Sequence, residues 1–164
     1  MAIDFAKHLK RAHLVSFSLL VVFSLIDWAI AAWLVAHYNK HGYPNHSIRD
    51  RTRFLLFTGL WTFVFSFVYI FGLLKAASSF AFSIASHAIF LFITWVFWLS
   101  GAAAITAALG DNWKGGNSDT LYALEGFAWI CWIITTFLFS FVLFAGTRAA
   151  RGGNGFGGAL VESA

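Results

Sequence analysis

Four long apolar stretches divided by short polar ones account for most of this chain. The first, 14–38, is interrupted only by Asp27; the second, 54–74, has no formal charge; the third, 80–109, is free of Asp, Glu, Lys and Arg; the fourth, 124–147, has Glu125 at its entrance. Roughly 20 apolar residues in a helix cross a hydrocarbon core of about 30 Å, so each stretch can span a bilayer, and the third must tilt or protrude. The pattern predicts an all-α fold, a bundle of four transmembrane helices over 14–38, 54–74, 80–109 and 124–147 with both termini on one side.

The polar stretches complete the plan. Residues 1–13 form a basic amphipathic lead, with Lys7, His8, Lys10, Arg11 and His13 among Ile3, Phe5 and Leu9, suited to the membrane surface. Residues 39–53, with Pro44 and the run Arg49-Asp50-Arg51-Thr52-Arg53, form a first outer loop, and 110–122 form a second. The short link 75–79 makes a hairpin of the second and third spans. The tail 148–164, with five glycines, is expected to be disordered.

Composition narrows the function classes. At 60% hydrophobic and 11% charged residues, the chain lies outside the soluble range and leaves too little sequence for a separate soluble domain. A single cysteine, Cys131, allows no internal disulfide, which disfavours the claudins and tetraspanins; Gly59-Leu60-Trp61 is similar to the claudin Gly-Leu-Trp, but it lies inside a span. The first apolar run is too long for a cleaved signal and reads as a signal anchor. The net charge of +4 comes from residues beside span ends, which suits headgroup contact and not nucleic acid. Six Lys and Arg lie on the side of the termini (Lys7, Lys10, Arg11, Lys75, Arg148, Arg151) and five on the other (Lys40, Arg49, Arg51, Arg53, Lys114), which favours cytosolic termini.

Asp27 carries the most information, because a carboxylate near mid-span costs at least about 2.5 kcal/mol to insert and seldom faces lipid. Thr62, Thr94 and Thr135 or Thr136 fall at a similar depth, so their hydroxyls are expected to form a polar clasp with it; a proton or ion pathway is the other reading of the same acid. His87 lies well inside a span and opens a haem or quinone reading, but no second histidine lies at a suitable depth for axial ligation. His37, His41 and His46 without a carboxylate beside them are a poor zinc signal. Ser100, Ala104 and Ala108 share a helical stripe with Gly101 alongside; small side chains let two backbones approach closely in lipid, within the chain or between copies. The rings of the second span, from Phe54 and Phe57 to Tyr69 and Phe71, predict an aromatic wall in contact with lipid or sterol, while Trp33 and Trp113 suit headgroup anchoring. Asn45-His46-Ser47 is a glycosylation sequon. The sequence has no phosphate-binding glycine loop, nucleophile elbow or convergent acid pair, so neither catalysis nor a cofactor is expected.

The run from His87-Ala88-Ile89-Phe90-Leu91 through Trp95-Val96-Phe97-Trp98 to Ser100-Gly101-Ala102-Ala103-Ala104, with Leu124-Glu125-Gly126-Phe127-Ala128-Trp129 opening the fourth span, resembles fungal MARVEL-domain proteins over about residues 9–148. Many of that family have an acid near the start of the third span, where this chain has Ser86-His87. The resemblance implies four spans, cytosolic termini and a non-catalytic role in membrane sorting, vesicle trafficking or microdomain scaffolding. The plasma membrane or vesicular endomembranes would be its location, and membrane lipids, further copies or other membrane proteins its partners. Two other classes compete with it, a channel or transporter subunit using Asp27 and a haem- or quinone-binding subunit using His87.

Overall fold

The computed structural model describes the backbone of residues 2–75, 84–110 and 113–151, and the side chains of 15–70, 85–110 and 113–148. Four helices make up nearly all of it: α1 (Ala2–His41), α2 (His46–Lys75), α3 (Ile84–Leu109) and α4 (Ser118–Arg151). Each is long and apolar enough to cross a membrane, over Val15–His41, His46–Ile70, Ala85–Leu109 and Ser118–Arg148. Most of the expected 75–79 link, the first residues of the expected third span and the tail 152–164 lie outside the described residues.

The helices run further than the apolar pattern. α1 begins at Ala2, so the basic lead is continuous with the first span, and the run Arg49 to Arg53 lies in the opening turns of α2. Capping explains the difference. Gly42 ends α1 in a left-handed conformation (φ 88°), its N–H donating to the Tyr38 carbonyl at 2.8 Å. Three residues later Asn45 starts α2 by accepting the Ile48 N–H on Oδ1 at 2.7 Å. Gly110 (φ 57°) closes α3 in the same way, and the Asn117 carbonyl accepts the Leu121 N–H at 3.0 Å to open α4. Polarity marks where the chain leaves hydrocarbon; the caps mark where it stops being helical.

The four helices close into a ring in chain order, each packing on its sequence neighbours and α4 returning to α1. Leu20, Leu34, Leu55, Leu91, Trp98, Ile105, Leu124 and Leu138 fill the axis. Glycine sets the two closest approaches. A Cβ on Gly59 would lie 3.0 Å from Trp28 Cβ and 3.1 Å from the Ser24 carbonyl oxygen, so α1 and α2 meet backbone to backbone there. A Cβ on Gly101 would lie 2.6 Å from Leu55 Cδ2, so α3 seats a leucine of α2. At the end of the bundle away from the N-terminus, the Tyr38 hydroxyl donates to the Gly116 carbonyl at 3.3 Å and ties the end of α1 to the turn before α4.

Candidate functional site

The described spans turn polar groups inward. Ser24, Asp27, Thr58, Thr62, Ser66, Thr94 and Thr135 are all buried, although all four spans are apolar on average. Asp27 is fully buried, and neither carboxyl oxygen has a hydrogen-bond partner. Cys131 of α4 lies close enough to feel its charge.

The clasp expected between Asp27 and the threonines is therefore not made. Thr62 donates to the Thr58 carbonyl at 2.8 Å, Thr135 to Cys131 at 2.7 Å and Thr136 to Trp132 at 2.8 Å. The physical reason is local: inside a helix, the carbonyl one turn back is always within reach of a threonine hydroxyl.

The hydroxyl lone pairs take indole N–H groups instead. Between α2 and α3 the arrangement is reciprocal, with Trp61 donating to Thr94 at 3.3 Å and Trp98 donating to Thr62 at 3.1 Å. It recurs between α3 and α4, where Trp95 donates to Thr136 at 2.8 Å and Trp129 to Thr106 at 3.0 Å. Thr106 in turn donates to Glu125 at 2.6 Å, which gives the acid at the mouth of the fourth span a partner. An indole can only donate, and a hydroxyl has one proton and two lone pairs, so the pairing satisfies both in lipid. Sequence reasoning missed these pairs, although the signal was present: an indole inside a span needs an acceptor there.

The stripe on α3 is displaced from its expected position. Gly101 and Ala102 are buried, Ala104 and Ala108 half-buried, and Ser100 exposed. The internal contact thus runs through Gly101, while Ser100, Ala103 and Ala107 form an uncovered face of small residues. The aromatic wall of α2 is shared: Phe54, Phe57 and Trp61 pack edge-on against Phe97 of α3 at 5.7 to 6.1 Å, while Phe57, Phe65 and Phe67 remain exposed.

His87 is buried among Phe17 of α1, stacked at 5.4 Å, Tyr69 of α2 at 4.9 Å and Phe90 of its own helix. His37 and His41 stack on each other at 4.4 Å, with Trp33 on the far side of His37 at 5.1 Å; His46 opens α2. Among the described residues, no group of three His, Cys, Asp or Glu could hold a metal ion. Asn45, the sequon residue, is exposed and uses its side chain as the α2 cap.

Outside, every helix presents large apolar side chains: Val22 and Trp33 on α1, Phe57 and Val68 on α2, Ile89 and Phe92 on α3, and Phe137 and Phe144 on α4, with Phe137 70% exposed. An open groove of about 390 Å³ lies between α1 and α4, lined by Ala29, Ile30, Trp33 and Thr120. Such a surface is stable only in contact with lipid or another membrane protein.

A family model described as MARVEL, membrane-associating domain, matches residues 9–146. No curated protein and no solved structure matches the chain.

Proposed function

The chain belongs to the MARVEL family of membrane-associating domains, and from that premise we propose that it is a non-enzymatic organiser of the membrane it spans, acting in sorting, vesicle trafficking or microdomain scaffolding. It is an integral multi-pass protein with four candidate spans and lipid-facing helices. The observation that carries the reading is the inverted distribution of side chains, with Asp27 and the hydroxyls of Ser24, Thr58, Thr62, Ser66, Thr94 and Thr135 turned inward and large apolar residues exposed on all four helices. With loops this short, lateral contact is the main means of engaging anything else.

In this reading both termini face the cytosol, and the membrane is the plasma membrane or a vesicular endomembrane. Lipids, sterol among them, cover the aromatic surface. Copies of the chain or other membrane proteins meet the uncovered Ser100, Ala103 and Ala107 face, where small side chains permit close van der Waals packing. The test is the size of the full chain in lipid discs taken directly from membranes. Particles of two or more copies that persist on dilution support it; single copies at every concentration refute lateral self-assembly.

A further inference from the structure

Asp27 is a fully buried acid without a hydrogen bond to either oxygen. An unpaired carboxylate in such a place is costly, and the buried hydroxyls of the neighbouring helices do not relieve that cost. Ser24, one turn earlier on the same buried face, donates to the Val21 carbonyl at 3.0 Å. Gly59 lies against the Ser24 carbonyl and Trp28, which brings its neighbour Thr58 to this level, and Thr58 donates to the Phe54 carbonyl at 3.0 Å. On α4, Thr135 donates to Cys131, the residue within range of the Asp27 charge.

Each of these hydroxyls has used its proton on its own helix, so what they offer the interior is lone pairs. Positive charge is not supplied by the protein either: the Lys and Arg of the described spans, Lys40, Arg49, Arg51, Arg53 and Arg148, stand near span ends. α2 and α3 bring no acid to this level, and α4 brings only the thiol of Cys131, since Glu125 is engaged by Thr106 on the outer flank. The arrangement carries one negative charge, no balancing positive charge among the described span residues, and no donor bonded to the acid.

We propose that Asp27 is the binding site of one monovalent cation, a proton or an alkali-metal ion, at the centre of the bundle. The buried hydroxyls of Ser24, Thr58 and Thr135, on α1, α2 and α4, are the neutral oxygens assigned to it as acceptors. A proton on the carboxyl would donate to one of those lone pairs, and an alkali ion would take the same oxygens as ligands. A single carboxylate sets the charge of the guest at one.

The experiment follows the thermal unfolding midpoint of the full chain in lipid discs, wild type beside Asp27→Asn. One arm exchanges choline chloride for sodium chloride at fixed pH and ionic strength; the other lowers the pH in choline chloride. A ligand that binds only the folded state should raise the midpoint by roughly 3–5 °C for each tenfold rise above its Kd. A rise with sodium in wild type alone identifies an alkali ion, and a rise with acid in wild type alone identifies a proton. Should Asp27→Asn not fold, Thr135→Val keeps the acid, removes one acceptor and is expected to weaken the response at least twofold. Equal responses of wild type and variant in both arms overturn the proposal.

Discussion

The Trp98 indole N–H donates across the α2–α3 interface to Thr62 Oγ1 at 3.1 Å, and both residues are fully buried. The bond joins two spans at a depth where no water competes for either partner.

Thr62→Val keeps the shape of the side chain and strands that indole donor. The expected loss is about 1 kcal/mol, the scale of interhelical polar bonds in membranes. Equilibrium unfolding of Thr62→Val, Trp98→Phe and the double variant gives the coupling energy; additive single effects would mean that the bond contributes nothing to stability.

Gly59→Ala brings a methyl group against the Trp28 backbone and the Ser24 carbonyl, neither of which can rotate away. Overpacking of this kind costs about 1–3 kcal/mol. Gly126→Ala is the control, since a Cβ there meets nothing within 4 Å, and its midpoint should stay close to wild type. Equal behaviour of the two variants would remove Gly59 as a contact point.

Ala107→Leu enlarges the uncovered face of α3, and Ala104→Leu enlarges a half-buried position. Native mass spectrometry in mild detergent should show fewer assembled particles for Ala107→Leu at unchanged thermal stability, whereas Ala104→Leu should unfold at lower temperature. Unaltered assembly in Ala107→Leu would show that this face meets lipid.

Ser47→Cys and Ser118→Cys test topology. The native Cys131 is fully buried, so it should stay silent towards a membrane-impermeant thiol reagent in intact cells. Labelling of both new cysteines in protein at the cell surface is expected; labelling only after permeabilisation would reverse the orientation.

The existence and number of spans were legible because hydrocarbon thickness fixes how long an apolar run must be, and the Asp27 burial followed from insertion cost. Helix ends were less legible, because the Gly42 and Asn45 caps lie within a polar stretch that composition alone assigns to a loop. The partners of Thr62, Thr94 and Thr136 could not be read from depth, since which hydroxyl meets which indole depends on helix rotation. Rotation likewise decided which of the expected packing residues of α3 make the close contact, burying Gly101 and leaving Ser100 exposed.

Because each helix packs on its neighbour in sequence, a nascent chain can settle one hairpin at a time as it leaves the ribosome. The two seams of α4, with α3 and with α1, must wait for the last helix. Asp27 lies on the first helix and Cys131, which lies within range of its charge, on the last, so a truncated or stalled product lacks the α4 side of the acid's surroundings. Completion of synthesis thereby closes the ring around that acid, and an unfinished chain differs from a finished one in what its interior acid meets within the bilayer.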